Sequence, residues 1–166
     1  MPWLAARSRL RRYLDAEAPS LFARPMMVVN RSDVRAYLLE KFESIAPADI
    51  EALDDRRQEI RDKAEQYENG HKHVVQRIAV ATDLMRDFAA GACPQIPLYT
   101  VSVVAVALLY VLQDIDVIPD FLPEGFDDDD LMVEVAFELG RPGLQRYCDW
   151  KEIPLSVLGV SHVAGR

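Results

Sequence analysis

Cysteine is scarce in this sequence. Only Cys93 and Cys148 occur, far apart and outside any CxxC spacing, which excludes a disulfide framework and a cysteine-based zinc site and fits a reducing, cytoplasmic setting. Basic charge is also in short supply. Nineteen Lys and Arg stand against 27 Asp and Glu, a net charge of −8. A general nucleic-acid binder is thereby excluded, because neutralising phosphates requires a basic surface. Signatures of familiar chemistry are missing as well: the sequence carries no phosphate-binding P-loop, GxGxxG, HExxH or nucleophile elbow. Thr100 and Ser102 lie in an apolar stretch with no neighbouring base. An enzymatic assignment therefore has no nucleophile to start from.

The chain has 166 residues, 50% of them hydrophobic and 28% charged, enough for one domain with a real core. Residues 1–30 form an N-terminal basic segment in which the first 14 residues contain Arg7, Arg9, Arg11 and Arg12 and no acid. No apolar stretch of signal-peptide length follows, which argues against export. Trp3, Leu4, Leu10, Tyr13 and Leu14 can share one side of a short helix. Three readings stand: contact with an anionic membrane surface through Trp3 and the arginines, packing against the protein's own acids, or an Arg-rich transit peptide. Met26-Met27-Val28-Val29 is the sole strand-like run.

Amphipathic helices are predicted across residues 33–90. Asn30 and Ser32 offer caps for a helix from Asp33 to Ile45, with Val34, Tyr37, Leu38, Phe42 and Ile45 as its apolar stripe. Pro47 suits the first turn of the next. From Ile50 the 3-4 spacing runs through Leu53, Arg57, Ile60, Ala64, Tyr67, His71, Val74, Ile78, Ala81, Met85 and Phe88. This 50–88 seam offers a packing stripe or a surface for self-association. Asn69-Gly70 interrupts it with a stop signal, so one long helix and a hairpin both remain open. His71 and His73 invite a zinc reading, but a third ligand is lacking and ordinary helix-start residues are the simpler account.

After Cys93-Pro94-Gln95-Ile96-Pro97 comes a charge-free stretch; residues 96–112 span 17 positions, at the lower limit of about 17 for a membrane helix. A central buried helix over 98–112 and a single membrane span are the two readings. Residues 141–150 suggest one more short helix, and 151–166 a loosely packed C-terminal tail. The expected architecture is an all-α single domain of about six helices around the 98–112 helix.

At the end of that helix the sequence reads LLYVLQDIDVIPDFLPEGFDDDDLMV over residues 108–133. It resembles the signature of the YkvA-like family in Leu108, Leu109, Tyr110, Ile115, Asp116, Ile118, Pro119, Asp120, Phe121, Pro123 and an aspartate pair within Asp127–Asp130, with Gly125 ahead of it. The resemblance covers residues 98–137. Asp114 stands where the family usually has proline. The resemblance implies no established activity; members are often considered membrane-associated. Physically, Pro119 and Pro123 make the segment a rigid turn plugged by Ile115 and Phe121.

Between Asp114 and Glu138 the chain carries ten acids and no Lys or Arg. Three readings follow: helix capping at the positive end of a dipole, a docking site for a basic partner, or a Mg²⁺ or Ca²⁺ site built from Asp116, Asp120, Asp127 and Asp130. The leading expectation is a non-enzymatic interaction or scaffold protein, cytoplasmic and membrane-associated, with a protein partner. The alternatives are a Mg²⁺-dependent hydrolase using these aspartates and a single-span membrane protein.

Overall fold

The computed structural model describes residues 30–66, 72–112 and 127–159. Seven α-helices and no strands occupy the described residues: α1 (Arg31–Lys41), α2 (Pro47–Asp55), α3 (Arg57–Glu65), α4 (Lys72–Ala89), α5 (Leu98–Val111), α6 (Asp127–Leu139) and α7 (Arg141–Lys151). Two short 3₁₀ turns, Phe42–Ser44 and Leu155–Leu158, complete the set. The strand-like run Met26–Val29 lies outside the described residues.

Local chemistry explains the boundaries. The Asn30 side chain accepts from the Asp33 N–H at 2.9 Å and caps α1. The predicted helix to Ile45 is shorter than expected, because the chain tightens into 3₁₀ geometry after Lys41. Pro47 opens α2 as predicted, and Asp49 accepts from the Ala46 N–H at 2.7 Å. At the far end of α4, Gly91 adopts φ 66°. The Ala92 N–H reaches the Asp87 carbonyl at 2.8 Å and the Gly91 N–H reaches Phe88 at 3.0 Å, a Schellman closure.

The 50–88 stripe is a hairpin, not one long helix. Its first arm breaks at Arg56 into α2 and α3, and α4 packs back against both. Ile50, Leu53, Ile60, Ala64, Val74, Ile78, Ala81 and Met85 are buried in the chain's own core. Arg61 clasps Asp83 across the hairpin at 2.9 Å.

All six other helices touch α5, and every residue from Thr100 to Val111 on it is buried. Fourteen residues span about 21 Å, short of the roughly 30 Å hydrocarbon layer. None of the described helices is long and apolar enough to cross a membrane. The single-span reading of 96–112 gives way to the central core helix, because protein rather than lipid surrounds it.

Close approach sets α7 against α5. A side chain at Gly143 would run into Thr100, whose hydroxyl donates to the Gly140 carbonyl at 3.4 Å. The tail expectation for 151–166 needs correction in its described part. Arg77 and Arg141 donate to the Val157, Leu158 and Gly159 carbonyls and hold the 3₁₀ turn in place.

Candidate functional site

The starts of α4 and α6 meet through His73 and Asp130. The four aspartates 127–130 form the first turn of α6 rather than preceding it. Negative charge in a helix's first turn is favoured by the positive end of the dipole, by about 0.3–1 kcal/mol per residue. Asp129 is fully buried. The two Asp130 carboxylate oxygens lie 3.1 and 3.0 Å from His73 Nε2. That contact ties the first turn of α6 to the first turn of α4. His73 is thus a helix-start residue with a carboxylate partner, and the described residues contain no cluster of three potential metal ligands.

Of the other residues singled out from sequence, Tyr110 is buried on α5, its ring edge-on to Tyr37 at 6.1 Å. Asp127 belongs to α6 through its backbone. Ile115, Asp116, Pro119, Asp120, Phe121, Pro123 and Gly125, together with Trp3, Arg7, Arg9, Arg11 and Arg12, lie outside the described residues. Tyr110 thus packs against α1, and Asp130 against the start of α4. Further along α6, Glu134 and Glu138 bind Arg31 at 2.7 and 2.6 Å.

The other end of α4 carries a network that no sequence motif announced. Asp87 accepts from the buried Tyr147 hydroxyl at 2.7 Å, from Lys151 Nζ at 2.8 Å and from Arg86 Nε at 3.1 Å. Burial alone would raise the Asp87 pKa, but the hydrogen bonds from Lys151, Tyr147 and Arg86 outweigh it and hold the carboxyl below its ordinary range. Burial, reinforced by Asp87, pushes the Tyr147 phenol far above its usual value. The neighbouring Cys148 thiol is pushed up to about 11, chiefly by burial. A neutral phenol and a neutral thiol at physiological pH make poor general bases and nucleophiles. This network clamps α7 onto α4.

Helical spacing held the clue to these polar positions. Arg77 stands three residues after Val74 and four before Ala81, and Asp87 three after Leu84, so each interrupts an inward-facing stripe. What such a side chain meets there depends on other helices and was not legible.

Comparison with known proteins adds a relationship. The chain is 30% identical over 81 residues to a protein of Bacillus subtilis (strain 168) named uncharacterized membrane protein YkvA. The match spans 48% of this chain and 76% of the relative. No family model and no solved structure matches the chain. With most of the relative's length covered by a match about twice as long as the motif region, this chain belongs to the YkvA-like family.

Proposed function

We propose that this protein is a helical interaction module working at a membrane face, with its acidic segment as the docking element for a basic protein partner. The observation that carries this reading is the division of charge. Residues 114–138 hold ten acids and no Lys or Arg, whereas the first 14 residues hold four arginines and no acid. Capping of α6 uses only the helix start, and Arg31 and His73 engage Glu134, Glu138 and Asp130. Asp114, Asp116, Asp120 and Glu124 add further negative charge along the intervening sequence.

The relative's name supports the membrane side of the proposal. Since none of the described helices is long and apolar enough to cross a bilayer, contact through Trp3, Arg7, Arg9, Arg11 and Arg12 is the route that fits. Each arginine near an anionic surface contributes about 1 kcal/mol.

The test is sedimentation of the full chain with vesicles of phosphatidylcholine, with and without phosphatidylglycerol. Binding should require the anionic lipid, weaken with salt and vanish when Arg7, Arg9, Arg11 and Arg12 are replaced by alanine. Binding unchanged by that replacement sinks the membrane contact. For docking, affinity capture with wild type beside a variant carrying asparagine at 127–130 should lose a specific basic protein; identical captures remove the docking role. Calorimetry with Mg²⁺ and Ca²⁺ separates this from the hydrolase alternative. Tight cation binding abolished by Asp120→Asn would move the function to metal chemistry through Asp116, Asp120, Asp127 and Asp130.

A further inference from the structure

Two arginines converge on the last described turn. Arg77, on the inner side of α4, is 8% exposed and donates from Nε to the Val157 carbonyl at 3.1 Å. Arg141, at the first position of α7, donates from Nη1 to Leu158 at 3.3 Å and from Nη2 to Gly159 at 3.0 Å. Both guanidinium groups border Gly159, whose φ of 79° is left-handed and where any side chain would meet Arg77 Nη2. The missing Cβ lets the Arg77 fork pack directly against the Gly159 backbone.

Each guanidinium carries five N–H donors, and the contacts with Val157, Leu158 and Gly159 engage one on Arg77 and two on Arg141. Arg141 Nε is buried and has no acceptor among the described residues. Their acceptors are neutral carbonyls; among the described residues neither arginine forms an ion pair with a carboxylate. That is unexpected in a chain with 27 acids and 19 Lys and Arg, because adjacent like charges repel and a buried cation is costly without a partner. The start of α7 adds to the positive field, since no side chain caps it.

We infer that Arg77 and Arg141 form a binding site for a phosphomonoester, carried by a small soluble ligand or by a lipid headgroup. A carboxylate is satisfied by one planar fork, whereas a phosphate dianion offers three terminal oxygens to two forks. Arg141 and Gly159 are half-buried and leave an approach from solvent. The site shares no residue with the N-terminal arginines or the acidic segment.

Calorimetry and thermal unfolding of the full chain, titrated with inorganic phosphate and with glycerol 3-phosphate, test the site. Saturable binding with a raised unfolding midpoint is expected. Arg141→Gln should weaken binding about tenfold, the loss of one charge-assisted contact. Arg77→Lys keeps the buried charge, removes the fork and should weaken binding without unfolding the chain. A parallel arm uses phosphatidylcholine vesicles containing phosphatidic acid, with Arg7, Arg9, Arg11 and Arg12 replaced by alanine so that only this site reports. Vesicle binding sensitive to Arg141→Gln assigns a lipid headgroup; binding of glycerol 3-phosphate alone assigns a soluble ligand. No saturable binding of any phosphate probe, or binding indifferent to both substitutions, overturns the proposal. A lower midpoint in Arg141→Gln with no phosphate response in wild type leaves the arginines as a structural latch and overturns it equally.

Discussion

The two ends of α4 hold aspartates in opposite ways. At its start, Asp130, 20% exposed, meets His73, whose side chain is 53% exposed. At its end, Asp87 is buried and receives hydrogen bonds from Tyr147, Lys151 and Arg86. A carboxylate withdrawn from water must have its charge matched, so the second arrangement is committed to holding helices together. A pair with one half-exposed partner is partly screened by solvent and contributes less to folding. The two acids thus differ in how exposed their partners are: 53% for His73 against a buried Tyr147 and a 29% exposed Lys151.

Asp87→Ala should break that contrast most severely. It strips the acceptor from a buried phenol and from Lys151, and we expect about 3 kcal/mol of lost stability by denaturant unfolding. Next comes Gly143→Ala, which drives a methyl group into Thr100 and should cost about 2 kcal/mol as α7 lifts from α5. Tyr147→Phe removes one donor and keeps the ring, for about 1–2 kcal/mol.

Acid titration sharpens the comparison further. The folded Asp87 carboxyl lies below its ordinary value of 3.8. Its contribution is therefore full above that unfolded value and is lost as pH falls through the lower folded one. The unfolding midpoint of wild type should drop more steeply on acidification than that of Asp87→Asn; parallel curves would remove Asp87 from the account. Asp130→Asn should have the smallest effect, under about 1 kcal/mol, measured in the same denaturant series. A loss as large as that of Asp87→Ala would erase the distinction between the two ends.

Several elements were legible because their determinants are local. The Asn30 cap, the Pro47 start and the Val34–Leu38 stripe follow from capping chemistry and spacing over a few residues. The charge-free run announced α5, although its length alone left a core helix and a membrane span open. The register through Asn69-Gly70 likewise suited one helix or two, because the spacing of a stripe is silent on whether its halves face each other. The candidate site divides in the same way. An acidic helix start was readable from four consecutive aspartates, whereas the His73–Asp130 contact joins residues 57 apart in sequence.

By itself the sequence determined an all-α chain, the positions of its apolar stripes, the separation of basic and acidic segments and the YkvA-like motif. These depend on periodicity and composition, which act within one or two helical turns. Only the tertiary structure decided that α5 is wrapped by the other helices, that Gly143 admits α7 against Thr100, and that Asp87 and Arg77 are buried polar groups. Those outcomes depend on which surfaces meet across long sequence separations, where burial changes what a charge costs and what it must find as a partner.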